Sequence, residues 1–166
     1  MRLYHYTSLE HLKAILEDGE IKTTASNLLK PVNMRLENGT LISDTDYYKP
    51  VVWFTTVHDF QKAKGCGLEG GSADKTEVAV CVEMNERFQK WDVWANRNRI
   101  NRAWFNTLKR TAPQWETFYI SEQPIPTDEN VSIIFRPDIQ ERFQKDMGMK
   151  EGTPAPISGE AAQLTK

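Results

Sequence analysis

The sequence predicts an α+β domain, and two observations carry that prediction. Short apolar stretches with strand-like alternation recur along the chain, most clearly at Val51–Thr56 and Glu77–Glu83. They do not alternate regularly with helical stretches, as a doubly wound parallel sheet requires.

Leu3 to Tyr6 reads as a short aromatic strand. Thr7 is placed as a helix N-cap, with Glu10 three residues on completing a capping box. Leu9, Leu12, Ile15 and Leu16 follow at helical spacing, and Gly19 stands where a left-handed C-cap is expected. Ile21 to Thr23 is a brief extended piece. Residues 25–50, punctuated by Pro31, Asn33, Asn38-Gly39, Asp44 and Pro50, read as a long excursion. Loops of that length are often lids or binding loops, or simply mobile.

Val51–Thr56 is the clearest central strand. Residues 64–75 form a Gly-rich loop without the Rossmann or P-loop pattern, and Glu77–Glu83 alternates as the next strand. Residues 97–111 read as one helix ended by Pro113. Strands are expected at 117–121 and 131–135, then a short helix at 139–147. Residues 1–147 make one domain, and the polar, small-residue tail 148–166 is expected to be disordered.

Composition bounds the function. The 166 residues suit a single domain. A formal charge of −2 argues against a broad electrostatic grip on nucleic acid or anionic lipid, while leaving room for a local basic groove. Cys66 and Cys81 are too few for a disulfide framework and lack metal-ligand spacing. The N-terminus has no apolar signal core, and no stretch reaches the ~20 apolar residues of a membrane span. A cytoplasmic protein is expected, in the host cytoplasm if its origin is viral.

His5 is the first candidate for chemistry. It lies between Tyr4 and Tyr6 at the edge leading into a capped helix, where it can donate a hydrogen bond to a ribose hydroxyl while a neighbouring ring packs on a flat ligand. The run Leu3-Tyr4-His5-Tyr6-Thr7-Ser8, followed by a helix with Ile15-Leu16 and then Gly19 and Ile21, resembles the first motif of the ADP-ribosyltransferase superfamily. It looks especially like small bacterial and phage proteins, the DNA-modifying toxins and the RNA 2′-phosphotransferases of that superfamily.

The resemblance implies a split antiparallel sheet with a few helices, and NAD as substrate with no metal. His5, Tyr6 and Thr7 would then contact the dinucleotide. The second motif is similar to Val52-Trp53-Phe54-Thr55-Thr56, in which Thr55 or Thr56 supports the nicotinamide ribose or orients a catalytic carboxylate. Tyr6, Trp53 or Tyr47 supplies the stacking ring. The third motif is a Glu on a late strand: Glu122 fits best, with Glu116 and Glu83 as alternatives.

The chemistry explains the set. Breaking the nicotinamide–ribose bond builds positive charge on the sugar, and a fixed carboxylate stabilises that transition state more than the ground state. Arg97, Arg99, Arg102 and Arg110 offer charge for the pyrophosphate, Arg102 foremost, or for a nucleic-acid acceptor. Trp91, Trp94, Trp104 and Trp115 lie among them, a mixture that suits single-stranded nucleic acid and equally an ordinary core.

The resemblance therefore implies an NAD-dependent ADP-ribosyltransferase acting on protein or nucleic acid, such as a toxin or phage effector. The alternative is the same fold binding a nucleotide or a partner without turnover; a third possibility is a 2′-phosphotransferase. No paired-tyrosine motif and no Gln/Glu-x-Glu pair is present, since Ile120 stands two residues before Glu122. The arrangement requires His5, Thr55 and Glu122 to line one cleft. His11 is expected to be inert, and His58 to lie near the pocket.

Overall fold

Period-two alternation sorts nearly every large side chain of the central sheet onto one of two faces. In the computed structural model, residues 1–23, 50–64, 73–98, 100, 102–128 and 130–146 are described. Their elements are β1 (Arg2–Thr7), α1 (Leu9–Asp18), β2 (Glu20–Ile21), β3 (Val52–Thr55), α2 (Phe60–Ala63), β4 (Val78–Glu83), β5 (Gln89–Lys90), α3 (Trp91–Arg97), α4 (Arg102–Thr111), β6 (Phe118–Ser121), β7 (Ile125–Pro126), β8 (Ser132–Phe135) and α5 (Pro137–Asp146). The fold class is α+β, as predicted. Six strands form one sheet in the order β5-β6-β3-β1-β4-β8, antiparallel throughout, and β2 and β7 pair separately.

Leu3, Val52, Phe54, Val78, Val80, Val82 and Phe135 face one way and meet Leu12 of α1, Ile139 of α5, and Ile21 and Ile125 of the small pair. Phe118 and Ile120 face the other way, against Trp91, Trp94 and Ala95 of α3 and Phe105 and Leu108 of α4. Tyr6 and Ala79 share this second face and cover Ala63 of α2. Burial of these apolar groups is the main favourable term holding the layers together.

Two helix ends differ from expectation. Ser8, not Thr7, is the N-cap of α1: its backbone is extended (φ −79°, ψ 161°) and its side chain accepts from the His11 amide at 3.2 Å. Thr7 is instead the last residue of β1, paired with Val78. Glu10 consequently falls one position short of a capping box, and Glu77, from outside the helix, accepts from the Leu9 amide in the first turn at 2.8 Å. Gly19 is left-handed (φ 72°), as a C-cap glycine should be.

The helix predicted at 97–111 starts at Arg102 as α4, and Arg97 instead ends α3, a helix over Trp91–Arg97 that the sequence did not reveal. The Asn98 amide N–H and its side-chain Nδ2 both donate to the Trp94 carbonyl, at 2.9 Å each. A side-chain amide that competes with the backbone in this way favours a break. No helix of the described residues is long and apolar enough to cross a membrane. The expectations for residues 25–49, the Gly-rich loop and the tail lie outside the described residues.

A polar latch closes the edge of the sheet. Arg136, between β8 and α5, grips Asp138 through Nε at 2.6 Å and Nη2 at 3.0 Å, and Asp74 through Nη1 at 2.7 Å. Asp74 also accepts from the Thr76 amide at 2.8 Å and hydroxyl at 2.6 Å. These hydrogen bonds, led by the Thr76 hydroxyl and joined by Arg136, hold the Asp74 carboxyl down from 3.8 to about 2. A carboxyl depressed on folding adds stability above its unfolded pKa and loses it as the pH falls through the folded one. Asp74→Asn should lower stability at pH 7 by about 0.5–1 kcal/mol, a modest figure because the Asp74 side chain is 47% exposed. In urea melts, the gap between wild type and variant should be constant above about pH 5 and shrink between 4 and 2.

Candidate functional site

The junction between β1 and β3 sets the candidate site. β1 pairs with β4 along its whole length, from Arg2↔Glu83 to Thr7↔Val78. Against β3 its ladder narrows to Tyr4↔Thr55. Beyond that pair the His5 side chain takes over, with Nδ1 2.9 Å from the Trp53 carbonyl oxygen. A carbonyl can only accept, so Nδ1 carries the proton and the neutral ring keeps its lone pair on Nε2.

The His5 ring rests against Phe54, with centroids 5.7 Å apart. Burial pushes its pKa below the ordinary 6.5; the Trp53 carbonyl pulls the other way, and Lys75 and His11 add to the lowering. His5 is thus a neutral imidazole at pH 7, partly accessible, presenting an acceptor. The donor capacity expected of the ring is used by Nδ1 toward the Trp53 carbonyl, which leaves Nε2 as an acceptor. Lys75, just ahead of β4, escaped sequence reasoning because a single Lys after a Gly-rich loop has no distinguishing pattern. His11, expected to be inert, is exposed yet close enough to bear on His5.

Of the other predicted residues, Thr7 is buried and shares the face of His5 by alternation. Tyr6 points to the opposite face. It is 5% exposed, its hydroxyl donates to the Val57 carbonyl at 2.9 Å, and its ring meets the edge of Phe60 at 5.4 Å. It is a core residue and not a stacking platform.

Thr55 is also on the opposite face, inside a closed relay. The Val57 amide donates to Thr55 Oγ1 at 3.1 Å, Thr55 to Thr117 Oγ1 at 2.7 Å, and Thr117 to the Gln114 carbonyl at 2.7 Å. Thr56, just past β3, ties its amide to the Thr117 carbonyl at 3.1 Å. Trp53 packs between Trp91 and Phe118, 6.1 and 5.9 Å away, with its Nε1 buried and without a hydrogen-bond partner among the described residues. Its carbonyl, not its ring, meets His5.

Glu122 follows β6 and accepts from the Trp94 indole N–H at 2.6 Å. Trp94 belongs to the helical layer on the face opposite His5. The expected single cleft of His5, Thr55 and Glu122 is therefore not formed: one residue lies on one face, two on the other. Odd and even positions along paired strands settle this, and motif order alone does not reveal it.

The alternative carboxylates lie elsewhere. Glu116 sits in the 3-10 turn Trp115–Thr117 ahead of β6, so strand alternation does not align it with Glu122. Glu83 ends β4 beside Arg2, whose Nε it accepts at 3.1 Å. Arg102 opens α4, over the Phe105 ring at 5.2 Å, and is not brought to His5. His58 is exposed and lies near Tyr4, with ring centroids 6.4 Å apart, rather than near His5. Cys81 is a buried free thiol. Tyr47, Arg99 and Cys66 lie outside the described residues, as does the Trp104 side chain. Among the described residues no three His, Cys, Asp or Glu side chains gather as a metal site.

Comparison with protein-family models, curated proteins and solved structures finds no match for this chain.

The tautomer is directly measurable. Long-range ¹H–¹⁵N spectra should give His5 a protonated Nδ1 and a bare Nε2 at pH 7, with titration centred below the ordinary value near 6.5. His5→Ala should cost about 1–3 kcal/mol in urea unfolding, since it leaves the Trp53 carbonyl without its partner.

Proposed function

We propose that this chain is an ADP-ribosyltransferase-like domain that takes NAD at the His5 side of the β1–β3 junction and transfers ADP-ribose to a protein or nucleic-acid acceptor. One observation carries the proposal. The three segments that resemble the family motifs fall on β1, β3 and β6, which are neighbours at the centre of the sheet. The first two part just where His5 stands. There the β1–β3 ladder narrows to Tyr4↔Thr55 within one six-stranded sheet, and the His5 imidazole adds a side-chain bridge.

In this proposal His5 Nε2 accepts from a ribose hydroxyl and Lys75 faces the pyrophosphate. Transfer also needs a carboxylate at the sugar, and Glu122, held by the Trp94 indole on the opposite face, is not brought to the His5 side.

A second reading, nucleotide binding without turnover, is favoured by the placement of Glu122 on the face opposite His5. The two part company in a paired experiment. NAD binding is followed by calorimetry, and transfer of labelled ADP-ribose is followed in cell lysate. Wild type should bind NAD, and His5→Ala should weaken binding about five- to tenfold, the worth of one hydrogen bond. Glu122→Gln, on the opposite face, should leave NAD binding unaltered. Binding with no transfer by wild type would establish the second reading. Absence of NAD binding by folded wild type would sink both.

A further inference from the structure

We propose that Arg136 is the positioning residue of the His5 site, holding the Lys75 ammonium beside the imidazole by clamping the turn on which Lys75 stands. The clamp needs no ligand; only its use by a dinucleotide rests on the NAD reading.

Lys75 stands in the turn at 74–77 that leads into β4. That turn is fixed on both flanks. On one, Arg136 Nη1 donates to Asp74 Oδ2 at 2.7 Å, to Thr76 Oγ1 at 3.1 Å and to the Thr76 carbonyl at 3.3 Å. The Arg136 amide also donates to the Glu77 carbonyl at 2.9 Å. On the other flank, the Glu77 carboxylate accepts from the Leu9 amide at the start of α1, at 2.8 Å. Val78, the next residue, pairs with Thr7 at the end of β1. The turn is thus tied to the sheet edge on one side and to the β1–α1 corner on the other, with Lys75 between.

The guanidinium is itself locked from behind. Nε and Nη2 donate to the two Asp138 oxygens at 2.6 and 3.0 Å, in the first turn of α5, and the side chain is only 16% exposed. A planar fork of five donors can serve two carboxylates, a hydroxyl and a carbonyl together, whereas an ammonium cannot. The Thr76 hydroxyl spends its proton on Asp74 at 2.6 Å, which leaves its oxygen to accept from Arg136.

The consequence falls on Lys75. Asp74 and Asp138 are both held by Arg136, and no ion pair among the described residues takes up Lys75, although it is partly buried. A partly desolvated ammonium without a counter-charge is uncommon, because nothing offsets its lost hydration. Its field reaches His5 together with that of His11 from α1, while the Trp53 carbonyl of β3 acts in the opposite sense. A fixed cation beside a neutral acceptor suits a phosphate group next to a sugar hydroxyl, the two functions that a dinucleotide presents side by side.

The test reads His5 directly. Long-range ¹H–¹⁵N spectra follow its titration in wild type, Lys75→Gln, Arg136→Lys and the double variant. A nearby ammonium disfavours the imidazolium, so Lys75→Gln should move the midpoint upward, toward the ordinary 6.5. Arg136→Lys keeps the charge but loses the fork. It should move the midpoint the same way, and add nothing once Lys75 is gone. Thr76→Val, which changes no charge, should act as Arg136→Lys does, and replaces it where circular dichroism shows early melting. In calorimetry, Lys75→Gln should weaken NAD binding about tenfold, the worth of one charge-assisted hydrogen bond. Arg136→Lys should weaken it less, and not at all in the Lys75→Gln background. The proposal fails if Lys75→Gln leaves the His5 midpoint in place, or if the clamp variants do. It also fails if the clamp variants shift the midpoint equally with Lys75 absent. Folded wild type that binds no NAD sinks the dinucleotide reading alone, and the His5 titration then decides the clamp.

Discussion

The hydrogen bond from His5 Nδ1 to the Trp53 carbonyl is the constraint on which the centre of this structure turns. β1 is bound on one side by a full backbone ladder with β4, but on the other its register with β3 is fixed at Tyr4↔Thr55. A carbonyl left open inside a sheet carries a desolvation penalty, and here a side chain meets it. The bond has two consequences. It joins the two halves of the sheet where backbone pairing gives way, and it dictates which ring nitrogen keeps its lone pair. Burial against Phe54, with Lys75 and His11 nearby, keeps the ring neutral, so the acceptor persists at physiological pH. Structure and candidate chemistry thus share one proton.

The same junction explains why the predicted site residues separate. Strand alternation sends His5 and Thr7 toward α1 and α5, and Tyr6, Thr55 and Ile120 toward α2, α3 and α4. Thr55 then becomes the middle of a saturated hydroxyl relay, and Tyr6 a buried anchor whose hydroxyl is already committed to Val57. Groups whose donors and acceptors are satisfied internally hold the sheet together but have nothing left for a ligand. His5 differs because, among the described residues, only one of its two nitrogens has a hydrogen-bond partner.

Strands were the most legible part of the sequence, because β-branched and aromatic runs such as Val52–Thr55 and Val78–Glu83 have few alternatives. Helix ends were harder. Thr7 and Ser8 are both good caps, and only the pairing of Thr7 with Val78 decides between them. The break at Asn98 depends on one side-chain amide reaching the Trp94 carbonyl, which periodicity does not register. For the site, the sequence pointed to His5 through its aromatic setting but did not show which nitrogen donates, because that is set by a carbonyl 48 residues away. Lys75 and the Trp94–Glu122 bond were invisible for the same reason: both arise from tertiary neighbours rather than from local pattern.

The break between α3 and α4 lets one aromatic layer serve two surroundings. A single continuous helix would carry Trp94 and Arg102 on one rigid axis. Ending α3 at Asn98 lets Trp94 settle, 2% exposed, behind β6, where its indole fixes the Glu122 carboxylate. Restarting at Arg102 lets α4 choose its own orientation. It buries Phe105 beneath Trp91, with centroids 4.9 Å apart, and turns Arg102, Asn106 and Arg110 outward. One layer of aromatic side chains therefore does two things. On its inner side it anchors a carboxylate, and on its outer side it holds Lys109 against Trp115 and Phe105 beside a charged ridge. The aromatic–basic mixture in this stretch is a core and a surface at once, divided by which side of α4 each residue occupies.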